Sequence, residues 1–269
     1  MGRRWIFGLL LALCFSTSVQ AQGVPSGTEA RFVSQDLKAL SLYFEGMAIL
    51  EEGQKGKPFK LFEKAKTRIE KRLNSGQLNS GDLAVLFNIA RITGNSEEML
   101  RLGRFRLFIG GEFVDEELIS VCAQTAYSQG DLESAIVFLK AGDRFLPPSM
   151  ERSVAVSNLY ANMGEADSAL ANMARLFKYP EYEIDAGIRY SMLLNDFGLD
   201  NEAYIALELL MERFPDALGL QLARAKFLQG RERQEEANAA FEAIYRNPDF
   251  SEEAIAQDFG TILDELQGA

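Results

Sequence analysis

Apolar residues recur along this chain at helical rather than strand spacing, in segments interrupted by glycine or proline, and the segments come two at a time. Leu37, Leu40, Phe44 and Met47 open the first pair, and Phe59, Phe62, Ile69 and Leu73 follow the break at Gly56-Lys57-Pro58. A polar stretch over residues 74–81 separates this pair from a second, predicted as Asp82 to Thr93 and Ser96 to Phe108 around the turn Gly94-Asn95. The alternation and the Gly110-Gly111 pair in residues 104–114 also suit a β-hairpin. Helix followed by loop is the better expectation, because a lone two-stranded hairpin within a helical array is barely stable.

Beyond residue 115 the pattern becomes a repeat. Ala135, Ala169, Ala203 and Ala237 are 34 residues apart, and Gly130, Gly164 and Gly198 each precede their alanine by five. Pro147, Pro180, Pro215 and Pro248 follow by 11 or 12, where a helix must stop because proline lacks an amide donor and clashes with the preceding turn. Small residues also recur seven before each turn glycine, at Ala123, Ser157, Ser191 and Ala223, beside the larger Cys122, Val156, Tyr190 and Leu222. Small residues at one place on each helix of a pair let two backbones approach closely, and each repeat alanine is predicted to sit at such a crossing.

On these positions the chain resembles the tetratricopeptide-repeat family, over residues 116–248. It departs from the family pattern in two respects. Ile119, Ser153, Gly187 and Gly219 stand where the family has an early tryptophan, and Gly230 precedes Ala237 by seven residues instead of five. The resemblance implies an all-α, right-handed superhelical solenoid of helical hairpins, about six pairs with a C-terminal capping helix. The expected cap is Ser251 to Leu266, with Ile255, Phe259, Ile262, Leu263 and Leu266 on one face.

The N-terminus reads as a secretory signal over residues 1–21: Arg3 and Arg4, an apolar run from Trp5 to Phe15, then Val19-Gln20-Ala21 as the cleavage site. Leu13 before Cys14 is not the small residue that a lipoprotein signal has there. A flexible segment over 22–33, degenerate helical repeats over 34–114, tetratricopeptide-like repeats over 115–248 and the cap over 249–269 complete the expected organisation. The expected location is the periplasm or the extracellular space.

Composition narrows the chemistry. Without Arg3 and Arg4, 26 basic residues face 39 acidic ones, which disfavours nucleic acid as a partner because neutralising phosphates needs a dominant basic surface. There is no histidine, so acid–base and metal sites that depend on it are excluded, and no cofactor or metal site is expected. Cys122 would be the one cysteine left after cleavage, at an apolar register that predicts a buried thiol without a disulfide. Gly53-Gln54-Lys55-Gly56-Lys57 lacks the spacing and the hydroxyl residue of a phosphate loop and reads as a turn. Carboxylate pairs such as Glu97-Glu98, Glu116-Glu117 and Glu252-Glu253 fall at helix starts, where they offset the helix dipole. The functional expectation is a non-enzymatic scaffold or adaptor of the cell envelope that binds a protein or peptide. The alternative is a helical-scaffold enzyme acting on cell-wall glycan with a lone carboxylate.

The resemblance implies that the first helices line a concave groove. The matching positions here include Gln124, Tyr127, Asn158, Asn162, Met192 and Asn195, and also Val154 and Ile188. Amide side chains both donate to and accept from a peptide backbone, which suits an extended chain. Family members that clamp a terminal carboxylate use basic residues where this chain has Ser120, Val154 and Ile188, with only Arg189 nearby, so that specificity is not expected. Lys60, Lys64, Arg68 and Arg72, four apart, form a basic face within residues 55–72, where eight basic residues accompany Glu63 and Glu70. A weak contact with an anionic surface is the expectation attached to it.

Overall fold

The turns set the architecture, and five of them share one construction. In the computed structural model, which describes residues 36–53, 56–77 and 79–247, a helix ends on a residue with positive φ. The amide of the residue that follows then reaches back five positions. Asn95 donates to the Ala90 carbonyl (2.8 Å), Asp131 to Ala126 (3.0 Å), Glu165 to Tyr160 (2.9 Å), Leu199 to Leu194 (2.9 Å) and Arg233 to Leu228 (3.2 Å). This Schellman geometry needs a left-handed residue just before the donor, and Gly94, Gly130, Gly164 and Gly198 supply it with φ of 69 to 79°. The next residue then caps the following helix where its side chain allows: Asn95 accepts from the Glu98 amide (3.1 Å) and Asp131 from the Ser134 amide (3.0 Å).

The longer last turn, anticipated from Gly230, breaks this rule. Gly230 has φ of −66°, and Glu232 takes the left-handed position with φ of 59°. A side chain in that conformation costs about 1 to 2 kcal/mol, whereas glycine adopts it freely but loses more chain entropy. Glu232→Gly is therefore expected to raise stability by about 0.5 to 1 kcal/mol in urea unfolding, and a loss of stability would mean that the turn does not adopt this shape.

Among the described residues there are twelve α-helices and no strand. The first compact unit, up to Ser149, contains α1 (Leu37–Glu51), α2 (Lys57–Asn74), α3 (Ser80–Ile92), α4 (Ser96–Ile109), α5 (Glu116–Ser128) and α6 (Leu132–Phe145). The second, from Met150, contains α7 (Met150–Asn162), α8 (Ala166–Ala174), α9 (Glu183–Asp196), α10 (Asp200–Arg213), α11 (Leu218–Gln229) and α12 (Gln234–Tyr245). Within each unit consecutive helices form antiparallel hairpins, and each hairpin packs on the next through α2 and α3, α4 and α5, α8 and α9, and α10 and α11. The expected signal at 1–21, the segment 22–33, Pro248 and the capping helix at 249–269 lie outside the described residues. The units divide at Ser149, so the hairpin α5–α6 belongs with the degenerate repeats although its register matches the regular ones.

The repeat alanines occupy the expected interior: Ala135 is 1% exposed, and Ala169, Ala203 and Ala237 are fully buried. One contact shows why they must be small. The Ser157 hydroxyl on α7 donates to the Ala169 carbonyl on α8 (3.0 Å), so the first-helix small position meets the backbone at the second-helix alanine. Asn172 fills the remaining polar space, donating to the Ser153 carbonyl (2.8 Å) and to Ser157 Oγ (2.9 Å), and all three residues are buried. Helical structure ends two residues before Pro147, Pro180 and Pro215. Before Pro180 the last part is a 3₁₀ turn, Arg175–Lys178.

In the first unit one expectation changes and another holds. The stripe Leu37, Leu40, Phe44 and Met47 is not the buried one: Leu37 and Phe44 are 75% and 50% exposed, and Ala39, Tyr43 and Gly46 face the interior. Helix α1 is apolar on nearly every side, so periodicity alone does not select its inner face. In residues 104–114 the helix-then-loop expectation matches: α4 runs to Ile109 and a 3₁₀ turn covers Gly111–Phe113. Buried Arg106 holds that loop, donating through Nε to the Phe113 carbonyl (2.7 Å) and through Nη2 to Asp115 (2.8 Å), whose carboxylate caps α5.

Candidate protein-binding surface

The first helices of the second unit form the surface on which the groove residues lie. Helix α7 touches α9 directly, and α9 touches α11. Asn158 and Met192 are half-buried on this layer, and Asn162 and Asn195 are exposed, so these four residues share one helical layer. Gln124 and Tyr127 lie on α5 in the first unit, both half-buried. Gln124 Oε1 is buried and accepts no hydrogen bond among the described residues, leaving one acceptor on this helix unsatisfied.

The structure refines the lining. Val154 is 6% exposed within a core of Met173, Leu176, Ala186 and Leu193, and Ile188 is fully buried with Leu207, Leu220 and Ala223. Neither lines a groove; helix rotation carries these positions inward, as apolar side chains favour. Met192 packs against the Ile188 cluster, so its thioether forms the floor of the layer and not its rim. Asn195 Oδ1 accepts from Arg231 Nη2 (2.7 Å), and Arg231 also pairs with Asp200 and lies over the Phe227 ring (5.1 Å). The arginines that sequence reasoning would place in solvent, Arg152 and Arg189, are buried at 4% and 7% exposure. No spacing rule signals them, because their registers in the repeat differ.

The basic face of α2 is also divided. Arg68 pairs with Asp36 (3.1 Å), the residue that caps α1, and Arg72 Nε pairs with the fully buried Asp82 (3.2 Å). These two arginines tie α2 to α1 and α3. Lys60 and Lys64 are exposed and have no ion pair among the described residues.

Burial pushes the Cys122 thiol up to about 12, so the thiolate is disfavoured. Several exposed or half-buried carboxylates are held below their ordinary range. Hydrogen bonds from Arg101, Ser134, Arg231 and Arg233 do this at Glu98, Asp131, Asp200 and Glu236. At Asp36 burial opposes the shift but is outweighed by the Ala39 amide, Arg68 and the Lys38 amide.

No protein-family model matches the sequence, and no curated protein does. The structure of Naa15/Naa10 bound to HypK-THB is similar over 96% of this chain at 16% identity, with a TM-score of 0.51; this chain spans 39% of that one. A tetratricopeptide repeat protein from Parabacteroides merdae matches over 86% of this chain and 93% of its own at 14% identity, with a TM-score of 0.46. The MamA protein matches over 61% of this chain and 89% of its own at 16% identity, with a TM-score of 0.43. With its helical hairpins, its buried small residues 34 positions apart and its glycine turns, the chain has the fold of tetratricopeptide-repeat proteins.

Proposed function

We propose that this chain is a non-enzymatic protein–protein interaction scaffold of the cell envelope that holds a peptide or partner segment on the first-helix layer of its second unit. The observation that carries this reading is the amide row, Asn158 and Asn162 on α7 and Asn195 on α9, on helices in direct contact. Asn158 and Asn162 offer donors and an acceptor to a peptide backbone, Asn195, whose Oδ1 accepts from Arg231, offers its donors, and Met192 supplies an adaptable apolar floor. The matched Naa15/Naa10 structure has HypK-THB bound to it, an instance of this type of fold in a complex. The envelope location rests on the signal-like residues 1–21. No helix among the described residues is long and apolar enough to cross a membrane.

A lone-carboxylate enzyme would need an acid whose pKa is raised by desolvation, whereas Asp36, Glu98, Asp131, Asp200 and Glu236 are lowered. The test is affinity capture with crosslinking from native envelopes. Asn158→Ala combined with Asn162→Ala is expected to abolish recovery of the partner and to leave the melting temperature unchanged. Undiminished recovery by this variant would remove the first-helix layer from consideration.

A further inference from the structure

We propose that the lysine row of α2 docks onto the acidic second unit of another copy of this chain, a head-to-tail contact between unlike surfaces. The charge is divided unequally. Of the 28 Lys+Arg and 39 Asp+Glu, residues 1–149 hold 18 and 17, which leaves 10 basic against 22 acidic in residues 150–269. Without Arg3 and Arg4 of the expected signal, the two differ in net charge by 11, at −1 and −12.

The mismatch is present at the surface as well as in the count. Lys57, Lys60, Lys64 and Lys71 of α2 are exposed, and none has an ion pair among the described residues. Their neighbours on the same helix are occupied within the fold: Lys66 lies by Glu70, Arg68 by Asp36 and Arg72 by Asp82. Lys60, Lys64 and Lys71 are four and seven positions apart and stack along one side of the helix, with exposed Glu63 on its flank. On the second unit Asp167, Glu202, Glu212 and Glu235 are exposed and likewise unpaired among the described residues. A row of unneutralised lysines and a strongly acidic unit, always present at equal concentration, are complementary surfaces that steer toward each other. Because the two surfaces are different, each copy carries both halves of the contact.

Sedimentation velocity on the full chain purified after export tests this. Self-association is expected at an ionic strength of about 0.01 M, where charges act over about 30 Å, and is expected to weaken at least about tenfold by about 1 M, where they act over about 3 Å. Lys60→Glu/Lys64→Glu is expected to be monomeric at low salt with a wild-type circular dichroism melt, and Glu202→Lys/Glu235→Lys is expected to be monomeric with a cooperative melt shifted slightly down, because both carboxylates lie in helix first turns. Mixed together, the two variants should form a one-to-one complex, because one retains an intact lysine row and the other an intact acidic unit. A monomeric wild type at low salt, association indifferent to either variant, or no complex in the mixture would each overturn the proposal. So would retention on anionic phospholipid vesicles that depends on Lys60 and Lys64 while the chain alone stays monomeric, since the lysine row would then belong to a membrane surface. Failure of this contact leaves the amide-row reading intact, because none of the four substituted residues lies on the first helices of the second unit.

Discussion

Phe138→Ala is expected to destabilise the first unit by about 3 to 5 kcal/mol, the range for emptying a buried aromatic site. The ring, on α6, is completely buried, and it stands where three helices converge. A Cβ on Gly103 of α4 would lie 3.2 Å from it and collide with the Cys122 sulfur of α5, so no neighbour is positioned to refill the space without moving backbone. Close packing makes that gap costly, because the atoms lining it lose their dispersion contacts outright. Urea unfolding followed by circular dichroism measures the loss. Val137→Ala, at the adjacent, 60% exposed position, is the control and is expected to stay within about 0.5 kcal/mol of wild type. A similar small effect at Phe138 would contradict the packing described for α4, α5 and α6.

Ala203→Leu is expected to cost about 1 to 3 kcal/mol for the opposite reason, overpacking. Ala203 is fully buried on α10, at the position equivalent to Ala169, where the Ser157 contact shows a side chain of one helix against the backbone of the other. A leucine there must push the pair apart or adopt a strained rotamer. The neighbouring helix face gives a contrast: Ile205, two residues on, is 56% exposed, and Ile205→Ala is expected to be nearly neutral. A neutral Ala203→Leu would place the helix crossing elsewhere and undo the repeat register.

Much of this fold was legible before any coordinates. A glycine followed by a capping residue, as at Gly94-Asn95 and Gly130-Asp131, announces a helix end and a helix start in two letters, because only a few backbone shapes satisfy the amides left unpaired there. The alanine series marked the crossings, and the prolines marked the helix ends. The candidate surface was less legible. Asn158 and Asn162 could be placed on a first helix by counting, yet Val154 and Ile188, one turn away in the same reckoning, belong to the core. The difference is a rotation of the helix by a fraction of a turn, decided by the residues it meets on α8, α9 and α10.

Charged residues show the same division. The basic stripe of α2 was visible as a spacing of four, but the spacing does not say that Arg68 and Arg72 are used by Asp36 and Asp82 while Lys60 and Lys64 remain unpaired. Those carboxylates are 32 and 10 residues away in the chain. By itself the sequence determined that the chain is helical, where each hairpin turns and which small residues sit between helices, since these follow from local backbone chemistry and a 34-residue period. Only the tertiary structure decided which face of the apolar α1 is buried, that Arg106, Arg152, Arg189 and Asp82 go inside, and which basic residues of α2 are ion-paired. Those outcomes depend on side chains brought together from distant parts of the chain, where burial and pairing are settled by the neighbour and not by the residue.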